Sequence, residues 1–315
     1  MEEITKLPIL KTVWAANREF FKQLFNVKVF LTFLLPTMLI FGFENMLSDV
    51  ISHSPENVSF AVDSMLVLGF SIETLAAIYL LLVLVYLFLL PVLTLNWHRH
   101  MILNSDLKLN PIGRFKLLGR FVRKVVWIWL VMMCLAIPMV LLGYALLLSY
   151  ATFLTWVDNL WIAAPICLLV AVVIAWMWVK LILTWTRMTL LLPATAVNVQ
   201  LNIREIMSIS KLCAGRLFVT QFLAVVAPLL LIVAVVSLFI WGLSGVEFLE
   251  PSTFMFVTLV FLGGLVSVFF TVVPIGVLSI FYMHYIVPQL PKIEKMRAEK
   301  EALDAIEQEG QTPSE

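Results

Sequence analysis

Trp97-His98-Arg99-His100 closes one long apolar run of this chain, and His284 closes another. Imidazoles ligate metals, but residues i and i+2 of a helix point apart. No carboxylate or cysteine stands at ligand spacing beside these histidines, so interfacial hydrogen bonding is the better reading and no metal or other cofactor is expected. Arg99 has a counterpart in Arg187: each lies two positions after a tryptophan, Trp97 and Trp185. A guanidinium fork matches the geometry of a phosphate. With Arg120, Arg123, Lys124 and Arg216 these residues form the candidate contacts for anionic lipid headgroups. The plainer reading of the same pattern is an aromatic and basic anchor at the membrane surface. Hydrolytic chemistry lacks its parts. There is no Ser or Cys nucleophile with a base at recognisable spacing, no catalytic carboxylate pair, no HExxH and no glycine-rich phosphate loop. The chain therefore reads as a non-enzyme, and Gly263-Gly264 read as a site of close helix packing.

The elements that must position these residues are membrane helices. Of 315 residues 62% are hydrophobic and 13% charged, with a mean hydropathy of +1.02, which excludes a soluble globule. A hydrocarbon core roughly 30 Å thick needs about 20 apolar residues per helix. Such runs lie at 29–47, 72–95, 125–149, 160–184, 217–243 and 254–286, and predict an all-α bundle of six spans.

Charge fixes the orientation. Counting Lys180, at the inner end of the fourth run, with the gap that follows it, all 21 Lys and Arg residues fall in alternate gaps: before the first run, between the second and third, between the fourth and fifth, and after the sixth. The other gaps carry Glu44, Asp49, Glu56, Asp63, Asp158, Glu247 and Glu250 instead. The positive-inside rule then puts both termini in the cytoplasm. Residues 1–28 form a cytoplasmic amphipathic segment, 29–287 the membrane domain, and 288–315 a charged cytoplasmic tail. In that tail Lys295/Glu299, Arg297/Glu301 and Lys300/Asp304 stand at i,i+4. A basic inner rim attracts anionic lipid at about 1 kcal/mol per cation. The net charge of +1 averages this rim against an acidic outer face. No cleavable signal peptide is expected. Cys134, Cys167 and Cys213 avoid the outer face, so no disulfide framework is expected. The sequon Asn57-Val58-Ser59 reads as chance.

The two large basic gaps resemble each other. Trp97-His98-Arg99 matches Trp185-Thr186-Arg187, Leu109-Asn110 matches Leu201-Asn202, and Gly119-Arg120-Phe121 matches Gly215-Arg216-Leu217. Asn110, followed by Pro111, and Asn202, followed three residues on by Glu205, read as N-caps of short helices before the third and fifth spans. Phe115, Leu118, Val122 and Val125 on one face, with Lys116, Arg120, Arg123 and Lys124 opposite, predict an interfacial helix in the headgroup plane. Asn17 to Lys28 fits a degenerate third copy, and Pro36, Pro138 and Pro228 each fall in an odd-numbered span. The chain reads as a parallel repeat of three units, each an interfacial helix and two spans. This differs from the inverted repeats of many transporters.

The segment Arg187-Met188-Thr189-Leu190-Leu191-Leu192-Pro193-Ala194, with Ile206 to Gly215 and Arg216-Leu217-Phe218, resembles the membrane domain fused to some bacterial glycerophosphodiester phosphodiesterases, and its stand-alone six-span relatives. The Trp97-His98-Arg99 element is similar to inner-membrane proteins of the same broad group. The resemblance covers most of residues 90–240 and implies a membrane fold in the bacterial cytoplasmic membrane. It implies no phosphodiesterase activity, because no soluble catalytic barrel flanks the spans. The function expected is non-enzymatic organisation of lipid or envelope, with membrane lipids, anionic ones included, or a membrane protein as partner, and no nucleic acid. The alternative is a transporter or channel for a small or lipophilic solute, although no span centre carries an acid or base for proton coupling.

Overall fold

A computed structural model describes residues 7–52, 72–105, 107, 115–154, 160–243, 253–291, 293–295 and 298. The described residues are 92% helical and include no strand. The elements are α1 (Ile9–Leu24), α2 (Val27–Val29), α3 (Leu35–Ser52), α4 (Ile72–Leu103), α5 (Phe115–Leu154), α6 (Leu160–Met188), α7 (Leu191–Ala196), α8 (Ile203–Ile209), α9 (Ala214–Leu243) and α10 (Thr253–Phe281). Among the described residues five helical stretches are long and apolar enough to cross a membrane: Val27–Glu44, Ala77–Leu103, Phe115–Ser149, Leu168–Ala196 and Val260–Gln289. A sixth is added if Ile203–Ile209 and Ala214–Leu230, bent by 88° at their junction, count as one broken span. This is a multi-pass membrane protein.

Every one of the long helices carries a proline: Pro91 in α4, Pro138 in α5, Pro165 in α6, Pro228 in α9 and Pro274 in α10. Proline therefore does not distinguish odd spans from even ones and loses its value as a repeat marker. Neighbouring helices make such interruptions tolerable in a bilayer. Two short π-helical turns, Phe30–Leu34 and Tyr282–Ile286, each end two residues before a proline, Pro36 and Pro288. A proline ring strikes the carbonyl one turn back in a regular α-helix, and a wider turn relieves that clash.

The centre of the bundle is α3, α4 and α10, which pack on one another. Phe33, Leu34, Met38, Leu93, Trp97, Val268, Val272, Val277 and Phe281 are buried there. The closest approach lies between α3 and α10. A Cβ built on Gly42 would sit 2.0 Å from the Val260 carbonyl oxygen, and one on Gly264 would sit 1.8 Å from that of Met38. Met38 and Gly42 are one turn apart on α3, as Val260 and Gly264 are on α10. The crossed pairing makes the two helices antiparallel, with two bare backbones in contact. Gly263 has nothing within 4 Å of its Cβ position, so only the second glycine of that pair is a packing residue.

Around this centre α9 packs on α10, α6 on α9, and α5 on α6. Helices α5 and α6 leave Trp127, Trp129, Leu130, Ile137, Leu168, Leu169 and Trp176 exposed, as lipid-facing helices do. The chain's two described ends meet at one end of the bundle, where α1 lies against α9 and α10. Its Thr12, Ala16, Phe20 and Gln23 form the buried stripe. At its entry the Leu7 N–H donates to Tyr285 Oη at 3.0 Å and Arg216 Nη2 donates to the Leu7 carbonyl at 2.7 Å.

Two expected interfacial helices behave differently. The basic stretch 115–124 does not break from the third span. It runs on as the first turns of α5, a 40-residue helix about 60 Å long, because no proline or αL residue interrupts it before Pro138. Before α9 the break does occur: α8 ends, a 3₁₀ turn Ser210–Leu212 follows, and the chain bends by 88° into α9. The Asn202 N–H donates to Glu205 Oε2 at 2.7 Å, the return arm of the expected capping box. The helix start expected at Asn110-Pro111, Cys167 as a side chain, the Asn57 sequon, the acidic residues Glu56, Asp63, Asp158, Glu247 and Glu250, and the tail pairs 295/299, 297/301 and 300/304 lie outside the described residues, wholly or in one partner.

Candidate functional site

The tetrad at the end of α4 ties that helix to three others: Trp97 and His100 reach α1, Trp97 and His98 reach α10, and Arg99 reaches α7. Trp97, 1% exposed, lies against Phe20 of α1 with ring centroids 6.5 Å apart. Its indole nitrogen is 3.6 Å from where a side chain on Gly276 of α10 would begin. His98 is fully buried, with Nδ1 2.7 Å from Ser279 Oγ of α10. Ser279 already donates its hydroxyl proton to the Ile275 carbonyl, so the imidazole is the donor in this bond and its proton is assigned to Nδ1. Arg99 Nη1 donates to the Ala196 carbonyl, the last of α7, at 2.9 Å. His100 Nε2 is 3.0 Å from Glu19 Oε1 of α1, and its Nδ1 is 2.9 Å from the Ser105 carbonyl. Gln23 Nε2 donates to the same Glu19 oxygen at 2.7 Å. The histidines do point apart, and each serves packing between helices.

Burial alone would raise the Glu19 carboxyl. The hydrogen bonds from His100 and Gln23 and the charges of Lys22 and His100 outweigh it, and hold the group below its ordinary 4.5.

Arg187 stands at the matching place at the end of α6 and also caps a short helix. It donates through Nη2 to the Met207 carbonyl near the end of α8 and through Nε to Ser210 Oγ. A cation on the last carbonyls of a helix complements its dipole. The two arginines thus play like parts with unlike partners: Arg187 of α6 holds the end of α8, and Arg99 of α4 the end of α7. Trp185 meets Trp129 of α5 edge to face, centroids 5.7 Å apart. Lys180 lies over the ring of Trp176 at 5.4 Å.

The turn that Arg99 holds forms one wall of a polar pocket. After α7 the chain reverses at Asn198, whose φ is +66°. The Asn198 N–H donates to the Thr195 carbonyl and the Val199 N–H to that of Ala194, at 3.0 and 2.9 Å. This is a Schellman ending, in which asparagine replaces the usual glycine. Helix α7 is wedged between α4 and α5, its Ala196 buried with Val92, Leu95, Leu118 and Phe121. Facing the turn is the basic beginning of α5. Arg120, Arg123, Lys124, Thr195, Asn198, Val199, Gln200, Leu201 and Asn202 surround a cavity of about 150 Å³, roughly ten times the space that admits one water. The three cations sit at i, i+3 and i+4 on one helix face. Among the described residues no carboxylate or imidazole lines the cavity, and Thr195 Oγ1 is committed to the Leu191 carbonyl at 2.8 Å. The arrangement is equipped to hold an anion with charge, guanidinium forks and amides.

Of the eight residues expected to contact lipid, the structure thus brings Arg120, Arg123 and Lys124 together around one cavity. It engages Arg99, Arg187 and Arg216 with backbone carbonyls, buries Trp97, and sets Trp185 edge to face against Trp129. Sequence reasoning missed Asn198, Gln200 and Thr195 as pocket wall and Glu19 as the partner of His100. The asparagine just past Leu191–Ala196 was the one readable signal, as a helix-ending αL residue. Comparison with known proteins finds no family model, no curated protein and no solved structure that matches this chain.

Proposed function

We propose that this is a non-enzymatic, six-span protein of the bacterial cytoplasmic membrane, with both termini in the cytoplasm, that binds anionic lipid headgroups and so supports lipid or envelope organisation. The observation that carries the reading is the pocket between α5 and the 195–202 turn, where three cations converge and no carboxylate is among the described lining residues. The confinement of the Lys and Arg residues to alternate gaps, with Lys180 at the inner end of the fourth run, supports the orientation. The paired tryptophan and arginine elements support a parallel repeat, and the likeness to the membrane domain of glycerophosphodiester phosphodiesterases supports a membrane role without that chemistry.

The test is to extract the protein with its surrounding membrane, without detergent, and identify co-purifying lipids and proteins by mass spectrometry. An Arg120→Gln/Arg123→Gln/Lys124→Gln variant should lose the anionic lipid that the parent retains. About 1 kcal/mol per surface cation makes the expected fall large, near a hundredfold for three. An unchanged lipid profile in the folded triple variant would refute the pocket's role. A bulk-like profile in the parent, with no stoichiometric partner, would move the function to transport of a small or lipophilic solute, to be measured as flux in liposomes.

A further inference from the structure

Helix α1 has two opposed faces, and the protein buries only one of them; on the other, among the described residues, Phe21 alone touches a neighbouring ring, that of Phe269. The inner stripe, Thr12, Ala16, Phe20 and Gln23, is buried against α9 and α10. The outer one runs Leu10, Trp14, Phe21 and Phe25, spaced 4, 7 and 4 residues, which places all four on one helix face. These side chains are 75%, 68%, 47% and 80% exposed. So large an apolar ridge on an otherwise docked helix marks a contact surface.

The ridge has a direction. Asn26 caps the start of α2, its side chain accepting from the Val29 N–H, and from there the helix runs on into the first span. Val27, at 70% exposure, and Leu31, at 54%, extend the exposed apolar line from Phe25 onto the outer surface of that span. A surface continuous with the lipid-facing wall of a membrane helix meets lipid. Beside the ridge, about a quarter turn round, Lys11 and Arg18 are exposed, and Lys22 shares its charge with Glu19 at 3.5 Å. Aromatic side chains flanked by cations suit the headgroup layer of an anionic leaflet.

We infer that the outer ridge of α1 lies in the headgroup layer at the basic end of the bundle, holding α1 between the protein and an anionic membrane surface. This goes beyond the pocket reading and shares no residue with it. A protein that fails to bind lipid between α5 and the 195–202 turn still seats α1 this way.

The experiment uses the full chain with Cys134, Cys167 and Cys213 replaced by Ala. A single cysteine carrying an environment-sensitive fluorophore is placed by Trp14→Cys, Phe21→Cys, Phe25→Cys or, on the polar flank, Ala15→Cys. Each protein is reconstituted in nanodiscs of phosphatidylcholine with phosphatidylglycerol, one of the two lipids bearing brominated chains. Labels at 14, 21 and 25 should lose most of their emission to brominated lipid, while the label at 15 keeps its own. Brominated phosphatidylglycerol should be the better quencher, and Lys11→Gln with Arg18→Gln should reduce that preference by roughly fivefold per cation removed. Equal emission at 14, 15, 21 and 25 would overturn the inference. So would cross-linking of the Trp14→Cys variant between two copies with no quenching, which would assign the ridge to a second copy of the chain. The several ridge positions guard against one variant that fails to fold.

Discussion

Gly263 and Gly264 are neighbours in sequence, and the structure separates their responses to one added methyl group. At Gly264 a Cβ would lie 1.8 Å from the Met38 carbonyl oxygen, with Met38 C and Cα also within 3.0 Å. A carbon meets such an oxygen at about 3.3 Å or more, so α3 and α10 would have to part by roughly 1.5 Å along that line. The obstacle is backbone on both sides and no rotamer relieves it. Overpacking of this kind costs typically 1–3 kcal/mol, and the upper half of that range applies here. At about 2–4 °C per kcal/mol, Gly264→Ala should lower the melting midpoint by roughly 4–12 °C. Gly263→Ala meets nothing within 4 Å and replaces a poor helix former by a good one, a gain of up to about 1 kcal/mol. Its midpoint should be unchanged or slightly higher. Gly42→Ala should copy Gly264→Ala. The double variant should cost less than the sum, because parting the helices for one methyl makes room for the other. The assay is thermal unfolding of purified protein in one detergent, followed by loss of the monodisperse peak on size exclusion. Equal midpoints for Gly263→Ala and Gly264→Ala would refute the close crossing of α3 and α10.

Asn198 should tolerate Gly and resist Val. A β-branched residue in the left-handed region costs about 1–2 kcal/mol, so Asn198→Val should lower stability and bound anionic lipid together, whereas Asn198→Gly leaves both near the parent. Acid should loosen α1 through Glu19. Because its carboxyl is held below 4.5, the stabilisation it supplies is present above that pH and is lost as pH falls from about 4.5 through the lower folded value. Limited proteolysis at the Leu24-Phe25 turn should therefore accelerate over this interval in the parent. Glu19→Gln should be faster than the parent at neutral pH and flat across the same interval.

How much of this was legible in the sequence depended on whether the signal was local. The long apolar runs, the capping of α8 by Asn202 and Glu205, and the amphipathic character of the N-terminal segment are written within a few residues, and the structure carries them. The Glu19–His100 contact joins residues 81 apart, and no periodicity along either helix announces it. Gly42 gave no sign of opposing Val260, since a glycine signals permission for close approach and leaves the partner unnamed. Continuation of Lys116 to Lys124 into the third span was misread, because an amphipathic wheel describes a helix's faces and says nothing of where the helix ends. The same local view made Arg99 and Arg187 look like free phosphate forks. The carbonyls they cap belong to turns whose positions only the assembled bundle defines.

The bond between the Leu7 N–H and Tyr285 Oη spans 278 residues, and that distance sets an order of assembly. The N-terminal helix is made first, yet its docking surface on α9 and α10 is made last. At about 5–20 residues per second of synthesis, Leu7 waits roughly 15–55 s for its partner. During that interval α1 has Trp97 and His100 of α4 to meet first, and the stripe that faces α10 has the bilayer surface or the insertion machinery to rest on. Closure of the bundle is therefore a late event that depends on delivery of the final span, and a ribosome stalled before Thr253 would leave α1 without the α10 part of its docking surface.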